Sequence, residues 1–120
     1  MQYWWLVGLG GAAGSICRYS INVLLTPLQH GFPWSTFFVN IAGSFLIGLL
    51  AAVWTGPDAE RWRLLAMTGF LGGFTTFSTF SIENMRMLQQ GQWTMSAVYS
   101  ILSIVAGILL AMLGFFAGQK

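Results

Sequence analysis

Gly72-Gly73-Phe74-Thr75-Thr76-Phe77-Ser78-Thr79-Phe80-Ser81-Ile82-Glu83-Asn84 (GGFTTFSTFSIEN) lies in the middle of a strongly apolar stretch. Paired glycines open it, hydroxyl residues then alternate with phenylalanines, and an acid follows. Such residues are costly inside a hydrophobic pass, so their presence needs a physical reason.

The rest of the chain shows what kind of pass this is. The hydrophobic fraction is 56%, the charged fraction 7% and the mean hydropathy +0.70. Soluble domains carry about 25% charged residues, so this composition reads as an integral membrane protein. The length of 120 residues suits one domain without a soluble appendage. A net charge of +2, from 5 basic and 3 acidic residues, is too sparse for a nucleic-acid footprint. With 1 Cys and 1 His, an internal disulfide or a metal site of soft or imidazole ligands is not expected. The start, MQYWWLVGLGGAAG, lacks a basic n-region and reads as a retained membrane helix.

A spanning helix needs about 20 mainly apolar residues. Working outward from the motif, a single four-helix transmembrane domain is expected over residues 1–120, with spans roughly at 4–25, 36–54, 64–87 and 93–117. Thr26-Pro27 ends the first, because proline lacks an N–H and disfavours helix in the residue before it. The polar TGPDAERWR stretch faces water and separates the second from the third. Trp4, Trp5, Trp34, Trp54, Trp62 and Trp93 all fall near span ends, where an amphipathic ring suits the headgroup layer. This arrangement puts Arg61, Arg63 and Lys120 on one side and, on the other, Arg86 together with Arg18 if it snorkels out of the first helix. So small a bias selects no orientation, and two copies inserted oppositely can pair about an axis in the membrane plane. Small residues at four-residue spacing, such as Gly10/Gly14, Gly48/Ala52 and Gly69/Gly73, let helices approach closely.

Within the third span, Gly72-Gly73 weakens the helix, and the hydroxyls compete for backbone hydrogen bonds. A break at mid-membrane is therefore expected. Unwound backbone at that depth survives only when buried in protein or lining a cavity. Its carbonyls can bind a small cation, and a half-helix N-terminus offers N–H groups to an anion. The bland alternative is a kinked packing helix with hydroxyls bonded to its own turn; the cluster of hydroxyls beside the glycines favours function. Helical spacing puts Thr75, Thr79 and Glu83 on one face with Thr76, and Phe77 and Phe80 on a neighbouring one. The positive edges of those rings suit an anion. Asn40, a turn after Thr36 in the second span, can donate to an anion or bridge helices. Ser96, Ser100, Ser103 and Gly107, with Tyr99, form a stripe on the fourth helix that is either interhelical glue or a wet track. Arg18 either snorkels or sets a positive potential at a pore mouth. For Glu83, near the water end of its helix, pairing with an arginine is the default.

GGFTTFSTFSIE, the upstream NIAGSFLIG from Asn40 to Gly48, and GGAAGSICRY in the first helix together resemble the Fluc-type (CrcB-type) bacterial fluoride channels. The resemblance covers essentially the whole chain. It implies a dual-topology antiparallel homodimer with two pores, which passively exports fluoride from the cytoplasm across the bacterial inner (plasma) membrane. It also implies a central sodium ion at the dimer interface, held by backbone carbonyls matching Gly72 and Thr75. The pore phenylalanines match Phe77 and Phe80, the pore asparagine Asn40, the threonine before it Thr36, the motif acid Glu83 and the vestibule arginine Arg18. The polar track matches Tyr99 and Ser103, and the Thr76, Ser78 and Thr79 hydroxyls are assigned to the same pathway. Beyond Ser103, Gly107 and Ala111 carry no hydroxyl, which departs from the family pattern.

The main rival reading is a small dual-topology multidrug transporter, which usually needs a membrane-embedded carboxylate; the first span has none. A packing subunit leaves the amide and hydroxyl positions unexplained. An enzyme is not expected, since no nucleophile–base–acid set is evident.

Overall fold

A computed structural model describes residues 2–28 and 30–119; Lys120, assigned above to the terminal side, lies outside them. Among the described residues every regular element is helical. Helix α1 spans Trp4–Leu25 and passes into a 3-10 turn at Thr26–Leu28, where Pro27 prevents continuation. Helix α2 spans Trp34–Val53. A second 3-10 turn, Pro57–Ala59, leads into the short α3, Glu60–Trp62. Helix α6 spans Trp93–Gly118.

Two of these helices, α2 and α6, are long and apolar enough to cross a bilayer. On α6, large apolar side chains stay outside the fold: Ile101 is 61% exposed and Ile108 59%. In water that surface would be untenable; against lipid it is the expected exterior. The chain is a membrane protein.

The third apolar segment is built from several pieces. It continues from α3 into a π-helical stretch, Arg63–Leu71, then one α-helical turn, α4, Gly72–Phe74. Thr75 and Thr76 are extended, with φ/ψ of −88°/157° and −151°/124°. Helix α5 starts afresh at Phe77 and runs to Gln89. The face shared by Thr75, Thr79 and Glu83 in a continuous helix is therefore corrected: Thr75 belongs to the turn before, its hydroxyl donating to the Leu71 carbonyl at 2.8 Å. Gly91, at φ 76°, reverses the chain into α6 with a conformation that glycine adopts without penalty.

Close helix approach depends on particular glycines. A Cβ on Gly10 would strike the Leu65 carbonyl, and one on Gly14 the Phe70 carbonyl, so α1 lies directly on the π-helical stretch. A Cβ on Gly48 would strike the Ala111 carbonyl, and one on Gly114 the Phe45 carbonyl, which sets α2 against α6. Val39, Leu71 and Phe74 form the buried core, with Cys17, Ile21, Leu50 and Phe70 packed around it. Arg63 holds the end of α2, its Nη1 donating to the carbonyls of Trp54 at 3.1 Å and Gly56 at 2.9 Å. The Trp54 carbonyl, at the C-cap of α2, is one that a helix end leaves without an internal donor.

Candidate functional site

The interruption in the third segment changes where its backbone hydrogen bonds go. In a continuous helix the Thr76 N–H would reach the Gly72 carbonyl. Here it donates to Asn40 Oδ1 at 2.9 Å. The Thr79 N–H, which would reach Thr75, donates instead to Thr76 Oγ1 at 3.1 Å, an N-cap for α5. Two other carbonyls at the interruption gain side-chain donors: Arg18 Nε reaches Gly73 at 3.0 Å, and Asn40 Nδ2 reaches Thr76 at 3.2 Å. Gly72 and Thr75 are thus among the carbonyls at the interruption that gain no side-chain donor in exchange for the helical one.

Asn40 is consequently a two-way clamp on the backbone of Thr76, which gives its amide a protein partner on both sides. Of the two sequence readings, bridging between helices is the one this geometry displays. Arg18 is half-buried, and its Nε is anchored at the interruption by the Gly73 carbonyl.

Beside the interruption lies a cavity of about 420 Å³, bordered by Asn40, Gly72, Thr75, Thr76, Phe77, Phe80 and Ser103 among others. Seven of the residues singled out from sequence therefore meet at one cavity. Its two phenylalanines differ: Phe77 is 78% exposed, whereas Phe80 is half-buried, with ring centroids 5.8 Å apart. The Ser103 hydroxyl is a buried oxygen that finds no hydrogen-bond partner among the described residues. Such a group invites a ligand, because a buried hydroxyl left unpaired is costly.

Thr36, Glu83 and Tyr99 form a separate knot. Both carboxylate oxygens of Glu83 accept hydroxyls, Thr36 Oγ1 at 2.7 Å and Tyr99 OH at 2.7 Å. The expected arginine partner is therefore corrected: the helices crossing near Glu83 present hydroxyls instead. Tyr99 is fully buried, packing edge-on against Phe32 at 5.3 Å and tilted against Phe80 at 4.9 Å. Phe80 thus joins the carboxylate knot to the cavity. Ser78 and Thr79 stand at the start of α5, where their hydroxyls lie 3.2 Å from Thr76 Oγ1. They belong to the cap of that helix and do not border the cavity.

Sequence reasoning left Ser44, Met67 and Asn84 unassigned. Ser44 borders the cavity and donates to the Asn40 carbonyl one turn back at 2.8 Å; its i+4 spacing from Asn40 was the available signal. Asn84 gathers Ser96 and Ser100 of the fourth-helix stripe, whose purpose the sequence left open. For Met67 no local signal existed.

The family model described as CrcB-like protein, Camphor Resistance (CrcB), matches residues 5–115. A relative from Thermus thermophilus named "Fluoride-specific ion channel FluC" is 46% identical over 120 residues, covering 98% of this chain and 96% of the relative. One of the same name from Saccharophagus degradans is 40% identical over 119 residues, covering 98% and 90%. "Fluoride-specific ion channel FluC 1" of Listeria monocytogenes is 42% identical over 114 residues, covering 94% of each.

Proposed function

This chain belongs to the CrcB-like family, and from that premise we propose that it is a passive fluoride-selective channel. It lets fluoride leave the bacterial cytoplasm across the inner (plasma) membrane and so relieves fluoride toxicity. One observation carries the reading: the extended pair Thr75–Thr76 borders a cavity shared by Phe77, Phe80 and the unpartnered Ser103 hydroxyl. The relatives' names supply the identity of the ion.

Fluoride is small and strongly hydrated, so donors must replace the water it leaves behind. Ser103 Oγ offers a buried donor that makes no hydrogen bond among the described residues. Ring edges of Phe77 and Phe80 add positive quadrupole without a full charge. Arg18 keeps a positive charge near the interruption while its Nε is held by Gly73. A cation inserted directly into the path would bind an anion too tightly, and conduction needs binding weak enough to leave. Thr76 presents a further hydroxyl at the mouth, with Ser78 and Thr79 bonded to it from the cap of α5, and Tyr99 and Thr36, tied to Glu83, form the wall behind Phe80.

The partner is a second copy in the opposite orientation. Phe77, 78% exposed beside the cavity, has no protein wall on its outer side in the single chain; the second copy supplies one and completes the pathway. The family resemblance also implies a sodium ion at the joint. The residues fit it: diversion of the Thr76 and Thr79 N–H groups frees the Gly72 and Thr75 carbonyls, and hard carbonyl oxygens suit a hard cation. Sodium held there would supply positive charge to offset the negative ends of the Gly72 and Thr75 carbonyl dipoles.

The test is fluoride release from proteoliposomes, followed with a fluoride electrode, with chloride as control and no proton gradient. Rapid fluoride release with little chloride movement is the expected result. Release that requires a proton gradient, or equal passage of both halides, ends the proposal.

A further inference from the structure

We propose that Asn84 is a positioning residue of the ion pathway, holding Phe80 and α6 in fixed register; this rests on the channel reading above. Asn84 immediately follows Glu83 on α5. Its Nδ2 donates to the Phe80 carbonyl at 3.0 Å, and its Oδ1 accepts from Ser96 Oγ at 2.7 Å and Ser100 Oγ at 3.0 Å. The neighbouring Glu83 takes the Tyr99 hydroxyl. Residues 96, 99 and 100 lie on one face of α6, so two consecutive side chains of α5 grip α6 at adjacent points.

Proton bookkeeping gives this grip a role. A serine hydroxyl has a single proton. Those of Ser96 and Ser100 go to Asn84, and that of Tyr99 goes to Glu83. Ser103, one turn further along α6, is the stripe's buried hydroxyl without a protein partner among the described residues, and it borders the cavity. The acceptors on α5 therefore secure one end of the stripe and leave the donor at the cavity free for an anion. An amide suits position 84, because it accepts both serines without adding a second negative charge beside Glu83. Its third bond returns to Phe80, whose ring stands 4.9 Å from Tyr99. Without Asn84, the hydroxyls of Ser96 and Ser100 turn back to carbonyls of their own helix. The tie that runs from the Phe80 carbonyl through Asn84 to α6 is then lost.

The test measures fluoride release and the fluoride-to-chloride ratio per reconstituted dimer for wild type, Asn84→Ala, the pair Ser96→Ala with Ser100→Ala, and all three changes together. Asn84→Ala is expected to slow fluoride release about tenfold, the rate equivalent of one hydrogen-bonded contact, and to lower the ratio. The serine pair is expected to do the same, and the triple variant to be no slower than Asn84→Ala, since all remove one tie. A role confined to folding would lower yield and leave the ratio unchanged. Wild-type rate and ratio in Asn84→Ala overturn the inference, as do effects that multiply in the triple variant. If Asn84→Ala fails to assemble, the serine pair decides, and its wild-type behaviour overturns the inference. Absence of fluoride release from the wild-type chain overturns the channel reading and this inference together, so the two failures are told apart.

Discussion

Asn40 holds Thr76 from both sides, donating from Nδ2 to its carbonyl at 3.2 Å and accepting its N–H on Oδ1 at 2.9 Å. A side-chain amide thereby substitutes for a missing stretch of helix. Extended backbone inside a membrane protein is otherwise a liability, because each unpaired peptide group costs several kcal/mol in hydrocarbon.

Asn40→Asp keeps the acceptor for the Thr76 N–H but removes the donor to its carbonyl and adds a negative charge at the cavity. Fluoride release is expected to fall by more than about tenfold, from one lost hydrogen bond plus anion repulsion. Size-exclusion chromatography should still show an assembled dimer. Wild-type release would remove Asn40 from the pathway.

Phe80→Ile keeps apolar bulk and removes the ring that meets both Phe77 and Tyr99. Aromatic pairs contribute about 0.5–1.5 kcal/mol beyond area burial, so stability should change little while fluoride release drops sharply. Electrode traces on equal amounts of reconstituted protein decide the point.

For Glu83→Gln the readout is stability. Thr36 and Tyr99 both donate to the carboxylate, whereas a glutamine offers an acceptor to one hydroxyl and its NH₂ group to the other. Hydrogen bonds to charged groups contribute about 1.5–3 kcal/mol each. Thermal unfolding in detergent should shift down by the equivalent of about 1–3 kcal/mol, and an unchanged midpoint would show the knot to be dispensable.

Two alanine substitutions in α1 make a matched pair. A Cβ on Gly14 would meet the Phe70 carbonyl, whereas a Cβ on Gly8 meets nothing within 4 Å. Gly14→Ala should force α1 away from the third segment and lower folded yield. Gly8→Ala should be neutral or stabilising by up to about 1 kcal/mol, the helix-propensity difference. Equal behaviour of the two would contradict the packing described.

Replacing all sodium with a bulky organic cation during purification and assay should abolish fluoride release, and adding sodium back should restore it. Lithium or potassium serve as controls for size. Full release in sodium-free vesicles would argue against a cation held by the Gly72 and Thr75 carbonyls.

Much of this arrangement was readable along the chain. Pro27 marks the end of α1, the tryptophans fall at helix ends, and Gly72-Gly73 followed by hydroxyls signals a weak helix, because each effect acts within a turn of its own residue. Asn40, Phe77, Phe80 and Ser103 were likewise conspicuous as polar or aromatic groups at unusual positions in oily segments. The partners were not readable. The place of Glu83 near a helix end suits an arginine, yet it receives Thr36 and Tyr99, and nothing local marks Asn84 as the acceptor for Ser96 and Ser100.

Local chemistry therefore settled which segments are helical and apolar, and where the third one yields, since propensity, proline geometry and hydropathy depend on near neighbours. Pairing was settled by packing. Arg18 meets Gly73 across 55 positions, Thr36 meets Glu83 across 47, and Asn40 meets Thr76 across 36. Such bonds exist only once Gly10, Gly14, Gly48 and Gly114 let the helices close to backbone contact. The depth and rotation of each helix at that contact, which no run of neighbouring residues encodes, select the donor that reaches each acceptor.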